Sequence, residues 1–128
     1  MVVDTSALVA ILRDEPERDA FLDVLAITED PVISAATLLE CSMVLARFKD
    51  AIADLDVLLS FAGVRVLAVD AAQALAAREA WLEHGKGRGP AALNFGDCFS
   101  YALAITTGRP LLFKGDDFAQ TDVMPATG

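Results

Sequence analysis

Four acidic positions stand where apolar segments give way to turns or helices: Asp4 in MVVDTSA, Glu40 in AATLLECSMV, Asp97 in NFGDCFSYALA, and the Asp116-Asp117 pair in LLFKGDDF. Carboxylates in such surroundings are costly to desolvate unless something positive collects them. A carboxylate cluster without histidines suits a hard divalent cation, Mg²⁺ or Mn²⁺, which takes oxygen ligands and keeps several waters. An ion held this way acidifies water and neutralises charge growing on phosphoryl oxygens, which is what phosphodiester hydrolysis requires. Asp4 and Asp97 are the expected direct or water-mediated ligands; Glu40 and Asp117 orient water or complete the shell. The competing account of each acid is helix capping, for which Asp97 at a helix start and Asp116 after a glycine turn are well placed. Asp4, after Val2-Val3, and Glu40, among Leu38, Leu39, Cys41 and Met43, have no evident capping duty.

Other chemistries find little support. The one histidine, His84, stands beside a glycine-rich loop and is expected to be a solvated helix-terminal residue, so a Ser-His-Asp centre has no focus. Cys41 and Cys98 form no CxxC pair and no disulfide framework; both are expected to be small buried side chains on helices.

Short apolar runs alternating with helical stretches must position these acids. Met1–Asp4 reads as a strand, with Ser6–Leu12 as the helix after it and a second helix from Glu15-Pro16-Glu17 to about Ile27. Pro31-Val32-Ile33 repeats the pattern of strand and hydroxyl cap, and the helix opened by Ser34 carries Glu40 near its middle. A helix over Asp50–Ala62 ends at Gly63, Val64–Val69 is a compact β-branched run, and Asp70 caps a helix ending near His84-Gly85. Gly85–Pro90 reads as a mobile loop, Cys98–Thr107 as a helix, and Leu111-Leu112-Phe113 as a last strand. The alternation predicts a parallel sheet covered on both faces, with ligands gathering beyond the carboxyl ends of its strands. Asp4 and the Asp116-Asp117 pair occupy such ends, and Asp97 and Glu40 reach the same rim from helices.

The 128 residues fit one domain, 1–128; a chain of about 150 residues buries roughly 68–70% of its unfolded surface, enough for a real core. No apolar run reaches the length of a membrane span and no secretion signal opens the chain, so a cytoplasmic protein is expected. Lys+Arg 10 against Asp+Glu 19 gives a net charge of −9, which opposes nucleic-acid binding unless basic residues are locally clustered. The densest basic stretch, Lys86-Gly-Arg88, lies in the loop and is the candidate substrate contact, with Arg13, Arg47 and Lys49 as possible extensions.

The blocks MVVDTSALVAIL, TLLE, LNFGDCFSYALA and LLFKGDDFAQTD, in this order, resemble the PIN-domain ribonucleases, in particular the VapC toxins of bacterial VapBC toxin–antitoxin pairs. The resemblance spans essentially the whole chain. It implies a three-layer α/β/α PIN-like domain with a central parallel sheet of four to five short strands. It implies a Mg²⁺- or Mn²⁺-dependent endoribonuclease that cuts structured RNA, transfer or ribosomal. A VapB-type antitoxin would neutralise it, and the toxin would be a homodimer, forming a heterotetramer or larger assembly with that partner. The family acids fall on Asp4, Glu40 and Asp97, with Ser6 as the small hydroxyl near the site. Many relatives carry T-x-D-x-D-F, whereas here Phe113 replaces the threonine and Gly115 the first aspartate, so Asp116 and Asp117 carry the fourth acid jointly. Leu22, Leu25 and Leu45 are candidates for antitoxin contact, although each leucine individually suits the core.

Two other classes compete with this reading. A Mg²⁺-dependent phosphatase of the haloacid dehalogenase type needs DxDx[TV] after its first strand, and Asp4-Thr5-Ser6-Ala7 lacks it. A degenerate PIN fold that only binds RNA or antitoxin is the non-enzymatic alternative, and retention of all four acidic positions speaks against it.

Overall fold

The computed structural model describes residues 1–127. Its elements run Val2–Val3 (β1), Thr5–Leu12 (α1), Arg18–Ile27 (α2), Val32–Ser34 (β2), Ala35–Leu45 (α3), Ala51–Phe61 (α4), Arg65–Leu67 (β3), Ala71–His84 (α5), Phe95–Thr107 (α6) and Leu111–Leu112 (β4). A 3₁₀ turn, Phe118–Gln120, follows.

The four strands are parallel, in the order β3-β2-β1-β4. Val2 is in register with Val32 on one side and Leu111 on the other. Alternation along such short strands splits the core. Val2, Val32 and Leu111 face a cluster with Ala80, Leu93, Tyr101 and Leu103 from the α5–α6 side. Val3, Ile33 and Leu112 face the opposite cluster, with Leu8, Phe21, Leu25, Leu45 and Leu55. The result is the expected three-layer α/β/α architecture with four strands. Leu25 and Leu45 are core residues, leaving Leu22 as the member of that trio that is only partly buried. From β1 the chain steps outward through β2 to β3, then returns to place β4 on the other side of β1, so the strand order reverses between β1 and β4. That reversal is where open parallel sheets form clefts.

Several boundaries differ from those expected, each for a local reason. Glu15–Glu17 is a turn rather than the first turn of a helix, because the Glu15 N–H donates to Ala10 O (2.9 Å) and folds the chain back onto α1. α6 begins at Phe95 rather than Cys98, because Asn94 caps it. Within Val64–Val69 only Arg65–Leu67 pairs, and as an edge strand it leaves Arg65 and Val66 exposed. The loop after α5, expected to be mobile, is tied by Lys86 N–H to Leu93 O (2.9 Å) and Leu93 N–H to His84 O (2.8 Å). His84 is not solvated: its side chain is 13% exposed and its ring packs 5.9 Å from that of Tyr101. Both cysteines are free and buried, as expected. Among the described residues no helix is long and apolar enough to cross a membrane.

Leu103 is fully buried where α6 meets the sheet. Leu103→Ala is expected to lower stability by about 2–5 kcal/mol, read as a shifted urea midpoint at unchanged slope; a loss near zero would contradict this packing.

Candidate active site

Asp4 follows β1 directly and is 2% exposed. Its Oδ2 accepts from the Ser6 N–H (3.0 Å) and the Ser6 hydroxyl (2.7 Å), and its Oδ1 accepts from the Ser100 hydroxyl (2.6 Å). Asp4 is therefore the N-cap of α1, a duty its sequence setting did not suggest. Capping orients the carboxylate without neutralising it. The Ser100 oxygen also lies 3.2 Å from Thr37 Oγ1; since Ser100 gives its proton to Asp4, Thr37 is the donor in that pair. A relay of buried hydroxyls from α3 and α6 thus ends on one carboxylate.

Glu40 projects from the middle of α3, where no backbone group needs it. The Thr5 hydroxyl donates to its Oε1 (2.7 Å), binding α1 to α3. Its other oxygen lies against Gly96, where a methyl group would collide with the carboxylate. Gly96 is thus required by a close approach across α3 and α6.

Asp97 stands in the first turn of α6 and completes a capping box: Asn94 Oδ1 accepts from the Asp97 N–H (2.9 Å) and Asp97 Oδ2 from the Asn94 N–H (3.0 Å). Capping is therefore a real duty here too. Desolvation, with repulsion from Asp4, Asp117 and Glu40, pushes the Asp97 carboxyl up to about 6 against the opposing pull of the Asn94 N–H. Asp117 is the member of the Asp116-Asp117 pair whose charge reaches Asp97; Asp116 instead offers its backbone carbonyl to the Ala119 N–H.

Asp4, Ser6, Glu40, Asn94, Asp97 and Lys114 line a cleft of about 470 Å³ at the β1–β4 end; Asp116 and Asp117 are not among its lining residues, and Gly115 stands at that corner. Lys86 and Arg88 are not part of it; Arg88 lies over the Trp81 ring at 4.3 Å. Arg13 and Arg47 stack on Phe48 instead. Thr5, Thr37, Ser100 and Asn94 were not singled out from the sequence. Ser100, one helical turn beyond Asp97, was open to discovery by its spacing. Lys114 was not, since its carboxylate partner Glu15 lies 99 positions away.

The donor set can be tested against a divalent ion. Every polar group on the walls except Lys114 and Asn94 offers only carboxylate or hydroxyl oxygen, and neighbouring Cys41 is held as a thiol, its pKa pushed up to about 12 by burial and then by Asp4 and Glu40. This oxygen-rich wall suits a hard cation, and Cys41 is not among the lining residues. Among the described residues no three Asp, Glu, His or Cys side chains converge into a finished cage. The set fits an ion that keeps waters between itself and some of its carboxylates.

A family model described as the PIN domain matches residues 1–124. The chain belongs to the PIN-domain family. Among its relatives is a ribonuclease VapC of Mycolicibacterium smegmatis, 55% identical over 127 residues, with 96% of this chain and 97% of that one covered. Ribonuclease VapC30 of Mycobacterium tuberculosis is 50% identical over 125 residues, covering 96% and 95%. These identities place the chain among the VapC ribonucleases of the PIN family. The fold agrees: the crystal structure of Mycobacterium tuberculosis VapC20, a toxin that cleaves the sarcin–ricin loop, superposes with a TM-score of 0.78 at 22% identity, covering 99% of this chain and 98% of that one. VapBC2 of Rickettsia felis, solved on a promoter DNA fragment, gives 0.76 at 18% identity over 97% and 94%.

In this PIN domain the raised Asp97 pKa has a signed consequence. Below the unfolded carboxyl value of about 4 the group is neutral in both states. As pH rises from there through the folded value of about 6, ionisation increasingly destabilises the metal-free native state. Asp97→Asn keeps an oxygen for the Asn94 N–H, so it is expected to stabilise the metal-free protein at pH 8 by on the order of 1 kcal/mol after solvent screening, with no gain at pH 4. Thermal melts in chelator across that range check it; a pH-independent difference would refute the charge repulsion.

Proposed function

We propose that this PIN domain is a Mg²⁺- or Mn²⁺-dependent endoribonuclease, the toxin of a type II toxin–antitoxin pair, acting on structured transfer or ribosomal RNA in the cytoplasm. The observation that carries the metal-dependent reading is the gathering of Asp4, Glu40 and Asp97 on the walls of one cleft, where burial first, and then the charges of Asp4, Asp117 and Glu40, push the Asp97 carboxyl up to about 6; a cation there would offset both. When bound, such an ion supplies positive charge to the phosphoryl oxygens and acidifies water. Asp4 and Asp97 are the residues that would hold it. Asp4 is fixed by three donors from Ser6 and Ser100, so little reorganisation is needed on binding. Glu40, braced by Thr5, and Asp117 orient water toward the phosphorus.

Two apolar surfaces support partners. Ile11, Leu12, Leu22, Val57, Leu58 and Phe61 line a groove between α1, α2 and α4, bordered by Asp14 and Asp54. Phe61 is 91% exposed there. Arg18 also lines the groove but is paired with Asp14 and Asp19, so the border of these apolar anchors stays net acidic and complements an amphipathic basic segment, the form expected of a VapB-type antitoxin. Leu39, Met43, Phe95 and Phe99 form a separate face on α3 and α6, almost without polar lining. A patch of this kind, in which Glu40 is the one charged lining residue, suits a second copy of the chain, giving a homodimer that the antitoxin then joins in a heterotetramer or larger assembly.

The enzymatic reading is tested with protein freed of its partner. Cleavage of cellular RNA is expected with Mg²⁺ or Mn²⁺, absent in chelator, and lowered at least 100-fold by Asp4→Asn or Asp97→Asn. Binding without cleavage under either metal would favour the degenerate binding module. Gly96→Ala separates positioning from folding. Its methyl group meets the mobile end of Glu40 rather than backbone, and alanine suits the helix better than glycine. The melting temperature is expected to hold while cleavage falls about as far as in Glu40→Gln; full activity would sink the role given to Glu40.

A further inference from the structure

An acid-walled cleft repels the substrate it is meant to process. Asp4, Glu15, Glu40 and Asp97 line it, and Lys114 is the one basic side chain among its lining residues. Lys86, Arg88, Arg13, Arg47 and Lys49, the other candidate bases for RNA contact, are not among its lining residues.

Lys114 is placed twice over. Its backbone N–H donates to Ser6 Oγ (3.0 Å), the same hydroxyl that donates to Asp4 Oδ2 (2.7 Å), which fixes the lysine backbone relative to the buried carboxylate. Its Nζ reaches across the cleft mouth to Glu15 Oε1 (3.0 Å) and Glu17 Oε2 (3.2 Å), in the turn between α1 and α2. All three side chains are about one-third exposed, so the pairs are screened and exchange readily with other anions. Lysine suits such exchange because its ammonium is a compact charge on a flexible stem.

We propose that Lys114 Nζ binds a backbone phosphate of the RNA at the mouth of the acid cleft, with Glu15 and Glu17 holding the ammonium there until the phosphate displaces one of them. The inference rests on the ribonuclease reading and deepens it. It supplies the local positive charge that a chain of net charge −9 needs to admit a polyanion.

The test uses the full chain, with Lys114→Gln and Lys114→Arg, and an RNA stem-loop that the wild-type protein cuts. For Lys114→Gln, KM is expected to rise about five- to tenfold with kcat within about twofold, as for loss of a uniform binding contact. In an Asp97→Asn background with Mg²⁺, the dependence of log Kd on log salt is expected to become shallower by about 0.7–0.9, the loss of one phosphate contact. Lys114→Arg is expected to restore both. A salt dependence identical in Lys114→Gln and its parent overturns the assignment, whatever happens to the melting temperature, since a strut between Glu15 and Glu17 would move only the latter. Absence of RNA cleavage by the wild-type protein overturns the ribonuclease reading itself, whereas cleavage with an unchanged slope overturns this inference alone.

Discussion

Asp4 ends the central strand of the sheet and is almost wholly withdrawn from water, yet it meets no cation among its hydrogen-bond partners. A buried carboxylate is tolerable only if its oxygens are bonded, and meeting that requirement draws much of the molecule together. Ser6 comes from α1, Ser100 from α6, and Thr37, behind Ser100, from α3. The backbone after β4 reaches the same centre through the Lys114 N–H and Ser6. Three helices and the reversal point of the sheet are thereby fixed around one anionic group, in a part of the fold where apolar packing alone would tolerate several arrangements.

Hydrogen bonds settle where the charges sit, but they do not cancel them. Hydroxyls and amide groups hold Asp4, Glu40 and Asp97 in place, and the Asp97 carboxyl is pushed up first by burial and then by the charges of Asp4, Asp117 and Glu40. Gly96 allows this crowding, because any side chain there would force Glu40 away. The native state thus carries an electrostatic strain that folding alone does not relieve, and a divalent ion would relieve it.

The sequence made the acids visible but hid their second duties. Glu40 stood out because an acid in mid-helix among apolar neighbours has no local use, and the structure gives it none. Asp4 seemed equally idle, yet it caps α1, because its carboxylate turns back toward the Ser6 N–H at a strand–helix junction too short to advertise a cap. The strand order was implied by alternating apolar runs, and the three-layer fold followed from it. The edge position of β3 was not, since Val64–Val69 has the composition of a buried strand and only the pairing partner decides. His84 was misjudged for a related reason: its cover, Tyr101, comes from another helix. Contacts that depend on distant partners, such as Lys114 with Glu15, leave no periodic trace at all.

The same geometry gives Asp116 and Asp117 different surroundings. Gly115 takes a left-handed turn with φ +102° just after β4, a conformation that a side-chain-bearing residue adopts at a cost. The turn sends the chain away from the sheet, and the Asp116 carbonyl is then committed to the Ala119 N–H, starting the 3₁₀ turn. Asp117, one step on and next to buried Phe118, is left with its charge felt by Asp97. Gly115 therefore leaves its own position without a carboxylate while providing the turn that keeps Asp117 within electrostatic reach of Asp97. Beside it Lys114, paired with Glu15 and Glu17, is the one base among the lining residues of the cleft.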